Sequence, residues 1–406
     1  MVAVQKPNNQ RRATGNSDGK AAPHLDLLIG QLVRSLRVAV IYGGDKRAAG
    51  AVLRETHNPR SWKSYESVAR NIADALTRLG FADVAVIPDD MRLASQLKAR
   101  RINLAWINSG GVQGRNAISH APAMLEMLGI PYVGHDPLAA SLLDSKHHFK
   151  RQLQSIGIAT APFFVMHPHD APKSMLSDRR MKALFARWPH GFVVKPVTGR
   201  ASLHVHYVEK ASDILETVRA VHAATHNSVL VEAYLPGREY CIAVTGPTIA
   251  RRRKLLQMQQ PFAFSAIERK LGRHERIFTS MDLKPITAAR TRPLISDTDG
   301  AIVAQLEQMA RDVYTGAALQ TLVRLDVRAD HKGDLFVLEA NPKPDLAAPT
   351  TKSTSLICAG LPRCDMTYDD LILSVFADRA ANIFNSRNGS VEKFFQSFQY
   401  SNAELH

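Results

Sequence analysis

Cysteine is scarce in this chain: Cys241, Cys358 and Cys364 are the only three in 406 residues, and none has metal-type spacing. That leaves no disulfide framework and fits a reducing cytoplasm. Long apolar runs are also missing, so neither a membrane span nor a signal-peptide core is expected. No internal repeat, Ser-His-Asp or Cys-His pattern, or basic stripe interleaved with aromatics is visible. Negative charge falls short too, with 37 Asp and Glu against 52 Lys and Arg, for a net +15. Such an excess suits nucleic acid, a membrane surface or anionic substrates. The basic residues are scattered apart from "RRRK" at 251–254, so nucleic acid is not the expected partner. An anionic nucleotide would account for part of the excess.

What is present is an ordinary globular composition, 45% hydrophobic and 22% charged, long enough for two or three domains. The first two dozen residues are polar and rich in Gly, Pro and Asn, so 1–35 is expected to be a disordered basic extension. "LRVAVIYGG" (36–44) reads as a buried strand running into paired glycines. A helix from Ser64 to Leu79 follows, with Val68, Ile72, Ala75 and Leu79 on one face. "ADVAVIP" and "INLAWIN" read as further strands, with "DDMRLASQLKAR" as the helix between them. This alternation predicts a parallel sheet over roughly the first 140 residues. Later come a helix in "DSKHHFKRQLQSIGI", strands in "GFVVKPVTGRASLHVHYV" and "SVLVEAYLPGREYCIAVTG", and a helix at 299–317. Residues 251–292 are poorly patterned and expected to hold a long mobile segment, and 377–406 reads as a peripheral tail.

The chemistry concentrates in "LVRLDVRADHKGDLFVLEANPKPD" (322–345). Two apolar runs flank the short loop His331–Asp334, and each carries polar groups at alternate positions: Arg324 and Asp326, then Glu339 and Asn341. Side chains two apart on a strand share a face. Pairing Asp326 with Glu339 puts Arg324 opposite Asn341, so one face holds two carboxylates, an amide and a guanidinium. Two carboxylates repel, so that face needs cations, and Arg324 supplies one. Hard oxygen donors without Cys or His suit magnesium, which also takes phosphate oxygens. The competing reading is a solvated hairpin face balanced by Arg324.

Two lysines and a turn extend the pattern. Lys146 opens a helix, and Lys195 interrupts the apolar β-branched run "FVVKPV", where a charge needs a partner such as phosphate. In "VLVEAYLPGREY" an apolar strand ends at Glu232, followed by Tyr234, Leu235, a Pro-Gly turn and Glu239. Such a turn can expose backbone groups to an adenine edge, and a following carboxylate can accept from ribose hydroxyls.

Taken in order, "MLEMLGIPYVG", "DSKHHFKRQLQSIGI", "FVVKPV", "VLVEAYLPGREY", "VRLDVR" and "FVLEANPKP" resemble the D-alanine–D-alanine ligase family of the ATP-grasp ligases, from about Leu36 to Phe376. The resemblance implies an α/β ATP-grasp fold of three α/β domains, with ATP between two antiparallel sheets and a Rossmann-like parallel sheet at the N-terminus. Expected boundaries are 36–145 for the N-terminal domain, 146–235 for the small subdomain and 236–376 for the catalytic subdomain. It implies a carboxylate phosphorylated by ATP and then joined to an amine. Lys146 and Lys195 would contact the ATP phosphates, with Ser202 and Lys270 from closing loops. Glu232, Tyr234 and Leu235 would line the adenine hinge, and Glu239 would bind ribose. Asp326, Glu339 and Asn341 match the ligands of magnesium, two ions, with manganese as a substitute. Arg324 matches the arginine that stabilises the transferring phosphoryl group. A homodimer follows by analogy alone.

Departures gather at the substrate end. The family has an acidic residue shortly after its first glycines, whereas here Asp45 follows directly and Glu55 lies far downstream. The Glu-Gly-Ser-Ser loop becomes "VTGRASLHV", which keeps Ser202 but substitutes Arg200 and Ala201. An acidic pair is missing before "MLEMLG". Asn-x-x-Pro-Gly becomes Asn341-Pro342-Lys343-Pro344-Asp345, losing the glycine beside the oxyanion. Two outcomes follow: a ligase for another amino acid or carboxylate, or a catalytically inactive ATP-binding regulatory module.

Overall fold

The computed structural model describes residues 19–385, apart from 61, 169, 171–178, 180–182, 184, 185, 187, 278–285, 288 and 352. Four parallel strands form the N-terminal sheet in the order Asp83–Asp89, Arg37–Gly43, Leu104–Asn108 and Tyr132–Val133. Val38, Ala39, Val40 and Ile41 are fully enclosed, as a strand covered on both faces requires. Helix Glu66–Arg78 turns Val68, Ile72, Ala75 and Leu76 onto this sheet. The parallel sheet expected from the strand–helix alternation is therefore present.

Two antiparallel sheets follow. The small one orders Phe163–Met166, Val229–Ala233, Phe192–Pro196 and His206–Val208. Helix Ile214–Thr225 packs Ile214, Val218 and Val221 against it, a spacing of four and three that keeps them on one side. The large sheet orders Thr291–Pro293, Ile267–Arg269, Glu239–Thr245, Val323–Ala329 and Leu335–Asn341, with Phe262–Ala263 also pairing to Glu239–Thr245. Beneath it, helix Ser296–Gly316 contributes Leu306, Ala310 and Val313 to a core with Val323, Leu325 and Val327. Alternation then leaves Arg324, Asp326 and Arg328 on the opposite face.

Several expectations about segments are corrected. Within the expected extension 1–35, residues 1–18 lie outside the described residues. Lys20–Ala21 form a strand and Pro23–Ser35 a helix whose Ile29, Leu32 and Val33 are buried. Within the expected tail 377–406, helix Tyr368–Asn385 carries on past 376 and buries Ala377, Asp378 and Ala380; 386–406 lie outside the described residues. The stretch 251–292 holds three short strands, Lys254–Gln257, Phe262–Ala263 and Ile267–Arg269, and the ends of two others. Its residues 278–285 are not among those described. Phe149 and Leu153, on the helix expected to open the small subdomain, pack into the core of the large sheet.

Candidate active site

A cavity of about 590 Å³ opens between the small and large sheets. Its walls include Lys195 and Glu232 from the small sheet, and Glu239, Arg324, Asp326, Glu339 and Asn341 from the large one. Lys146, Ser202, Tyr234 and Leu235 complete the set of sequence-predicted residues gathered there. Lys270 does not join them: its side chain is exposed and its backbone N–H donates to Arg290 O at 2.8 Å. Strand alternation sends its neighbour Arg269 inward instead.

The hairpin has the expected register, Asp326 opposite Glu339 and Arg324 opposite Asn341. It also has a bulge, because Val327 pairs with Val337 and leaves Leu338 as an extra residue. In a regular strand Val337 and Glu339 would share a face. The bulge resets the phase, so Val337 enters the core while Leu338, Glu339 and Asn341 line the cavity.

Cations already offset the two carboxylates. Asp326 accepts from Arg324 Nε at 2.9 Å and from Arg269 Nη1 at 3.1 Å. Glu339 lies 3.4 Å from Lys146 Nζ. Burial works against ionisation of Glu339, but Lys146, Lys195, Arg269 and Arg324 hold its carboxyl at about 2. The need for counter-charge is thus met by protein side chains, and the argument for a metal rests on the donors themselves. Among the described residues, no three His, Cys, Asp or Glu side chains group as metal ligands. Here the third donor is the Asn341 amide, whose buried Nδ2 has no hydrogen-bond partner. Two carboxylates and an amide oxygen fit a hard divalent cation.

Lys195 has a carboxylate partner rather than an open charge. Glu232 binds Lys195 Nζ at 2.5 Å and Lys150 Nζ at 2.9 Å, all three buried. Burial acts against the charge on Glu232, yet the two ammonium groups pull its pKa below the ordinary carboxylate value. Lys150 also donates to Thr160 Oγ1 at 2.6 Å, tying the cluster to the large sheet through Thr160 and Val337 O. Glu239 accepts from Arg269 at 2.5 Å and Arg328 at 3.0 Å, leaving each oxygen a further lone pair. Arg328 in turn donates to the Tyr234 hydroxyl at 2.9 Å. Six cations (Lys146, Lys150, Lys195, Arg269, Arg324, Arg328) thus face four carboxylates (Glu232, Glu239, Asp326, Glu339), a surplus that suits a polyphosphate.

Sequence reasoning missed Arg328, Arg269 and Lys150. Arg328 simply continues the alternation of Arg324 and Asp326, so its signal was present. Lys150 lies one helical turn from Lys146. It also missed Arg60, Tyr65 and Lys343, which line the end of the cavity beyond Asn341. Asp45 and Glu55 are not part of the cavity lining; they pair with Arg47 at 3.0 Å and Lys46 at 3.2 Å.

Two antiparallel sheets enclosing a cation-rich cavity, with hard oxygen donors on one hairpin, define an ATP-grasp enzyme. Residues 152–376 match the family model described as D-ala D-ala ligase C-terminus. The chain belongs to the D-alanine–D-alanine ligase family, and its class is the ATP-dependent, ADP-forming carboxylate–amine ligase. The D-alanine–D-alanine ligase of Pseudomonas putida (strain GB-1) is 27% identical over 347 residues, covering 85% of this chain and 93% of that protein. The uncharacterized protein y4sG of Sinorhizobium fredii is 27% identical over 266 residues, covering 64% and 71%. The Bacillus anthracis D-alanine–D-alanine ligase, solved in complex with ATP, shares the fold at a TM-score of 0.61. It is 17% identical, with 86% of this chain and 98% of that one aligned.

Proposed function

We propose that the chain uses ATP and magnesium to activate a carboxylate as an acylphosphate and to join it to an amine, with a substrate other than the family's D-alanine pair. The observation that carries this reading is the shared face of Arg324, Asp326, Glu339 and Asn341 in a cavity between two sheets. A carboxylate oxygen would attack the γ-phosphorus of ATP, giving acylphosphate and ADP. The amine would then add to the acyl carbon, lose a proton and expel phosphate. Such transfers depend mainly on positioning and charge neutralisation.

In this scheme Lys146, Lys195 and Ser202 hold the phosphates, with Lys195 oriented by Glu232. Tyr234 and Leu235 flank adenine, and Glu239, set by Arg269 and Arg328, accepts from ribose. Arg324 offers its guanidinium to the transferring phosphoryl group and to the tetrahedral oxyanion. Magnesium, two ions or manganese in their place, would be held by Asp326, Glu339 and Asn341 and would neutralise phosphate charge. With the helix of Phe149 and Leu153 moved to the large sheet, the working units are the N-terminal sheet region, a small subdomain starting near Phe163, and a catalytic subdomain that continues to Asn385. The same reading places the enzyme in the cytoplasm and, by family analogy, as a homodimer.

The test is magnesium-dependent ADP release by the purified chain against D- and L-amino acids and hydroxy acids, with products weighed by mass spectrometry. Stimulated release with a condensed product of matching mass is expected, and Asp326→Asn should lower it about a hundredfold. ATP binding without stimulated release for any carboxylate or amine would leave only the inactive ATP-binding module.

A further inference from the structure

The cavity has two chemically different ends. Along strand Val323–Ala329, Arg328 meets Tyr234 and Glu239, and Arg324 lies four residues further on, about 13 Å away. Asn341 pairs with Arg324, and Lys343 follows past the strand's end, so Lys343 lies on the side away from the Tyr234–Leu235 turn. There Tyr65 is surrounded by cations. Lys343 Nζ is 3.4 Å from the centre of its ring and Lys63 Nζ is 5.6 Å from it. Arg60 is fixed by Asp144 at 2.8 Å, and Arg200 donates to Trp62 O at 3.4 Å.

All four cations line the cavity, and so do the carboxylates of Glu66 and Asp345. Glu66 is engaged by Arg70 at 2.5 Å, and Asp345 accepts from the Ala347 N–H at 3.0 Å. Among the described residues no carboxylate lies within ion-pair distance of Lys343; its ammonium sits over the Tyr65 ring, and Asp345 acts on it only from further away. Burial of Tyr65 opposes ionisation of its phenol, yet Lys343, Arg60 and Arg200 bring its pKa below the ordinary value. That shift is a sign of a locally positive field. A neutral amino acid brings this end at most one carboxylate, together with an ammonium that four cations would repel.

Resting on the ligase reading of the same cavity, we infer that the substrate held at this end carries a second anionic group besides its reacting function, and that Lys343 receives it beside Tyr65. The chemical class is a dicarboxylic or phosphorylated amino acid. Lys343 occupies a position in Asn341–Asp345 that an alanine side chain would have no use for. Selectivity would therefore come from charge at the substrate end, while Lys146, Lys195 and Arg324 handle the nucleotide.

Calorimetry on the full chain, loaded with magnesium and a non-hydrolysable ATP analogue, tests this directly. The ligands are D- and L-aspartate, D- and L-glutamate, O-phosphoserine and alanine. At least one dianionic ligand is expected to bind about tenfold more tightly than alanine, the effect of one charge-assisted contact. The aspartate and glutamate arms separate a second carboxylate from a phosphate. Lys343→Met should cost that ligand about tenfold and leave affinity for the ATP analogue within about twofold, with Lys343→Arg restoring part of the loss. Alanine binding as well as every dianionic ligand, no measurable dianionic binding, or equal losses for nucleotide and ligand in Lys343→Met would overturn the inference. ADP release reports separately on catalysis. Dianionic binding without release refutes the ligase reading alone, and release with alanine alone refutes the charge inference alone.

Discussion

Glu239 shows how a single side chain organises the nucleotide side of the cavity. Its two oxygens take one arginine each, and Arg269 also reaches Asp326. Arg269→Met would leave both carboxylates short of a counter-charge in a buried site. Loss of one partner from such a pair costs about 3 kcal/mol or more, so urea unfolding should show a clear drop in midpoint. Lys270→Ala, one residue along and exposed, should leave that midpoint within about 0.5 kcal/mol. ADP release should follow the same contrast, falling steeply for Arg269→Met and little for Lys270→Ala. The choice between these neighbours was hidden in the sequence, because "IERKLGR" is too short for alternation to set its phase. Arg328 was legible, since it extends a run of alternating residues whose apolar partners fix the inward face. The clamp of Glu232 by two lysines was not, because it joins a helix to a sheet far apart in the chain.

At the scale of elements, the hairpin Val323–Asn341 was readable down to its register, because the apolar positions of the first strand leave only one face for the polar ones. The bulge was not readable from alternation alone. Val337, Glu339 and Asn341 have the same parity, yet Val337 is in the core and the other two face the cavity. Removing Leu338 would make Val337 and Glu339 adjacent and so on opposite faces, a regular ladder that keeps Glu339 opposite Asp326; one further residue after Leu338 would instead carry Glu339 out of line with Asp326. Insertion of one residue after Leu338 should therefore abolish ADP release and nucleotide binding, while deletion of Leu338, which keeps Glu339 opposite Asp326 and Asn341 opposite Arg324, should retain part of both. Nucleotide titration followed by activity assay separates the two variants. Residues 251–292 lacked a pattern for a different reason: strands of two to four residues are too short to show a period.

For the molecule as a whole, the parts are joined by buried polar ties as well as by packing. His135, just after the last strand of the N-terminal sheet, bonds Leu322 O at 3.2 Å, immediately before the catalytic hairpin. It is buried, and its Nδ1 has no partner. Desolvation pushes its pKa down to about 4, from an ordinary value of 6.5. The unfolded chain therefore takes up the proton first, and the neutral imidazole favours the fold above pH 6.5. That contribution is lost as pH falls from about 6.5 through about 4, up to about 3 kcal/mol in total. Thermal melts over that range should show a falling midpoint, with a shallower slope in His135→Gln. A steeper or unchanged slope would show that other groups dominate. Leu338 also has a consequence at this scale. Placing Glu339 opposite Asp326 and Asn341 opposite Arg324 depends on Leu338 being taken up as an unpaired residue, so that Val337 and Glu339 face opposite ways, rather than on the identity of the Leu338 side chain. Lengthening or shortening the loop His331–Asp334 leaves that pairing untouched. The outer end of the catalytic hairpin is therefore free to vary in length, while between Val337 and Asn341 one added residue would carry Glu339 past Asp326.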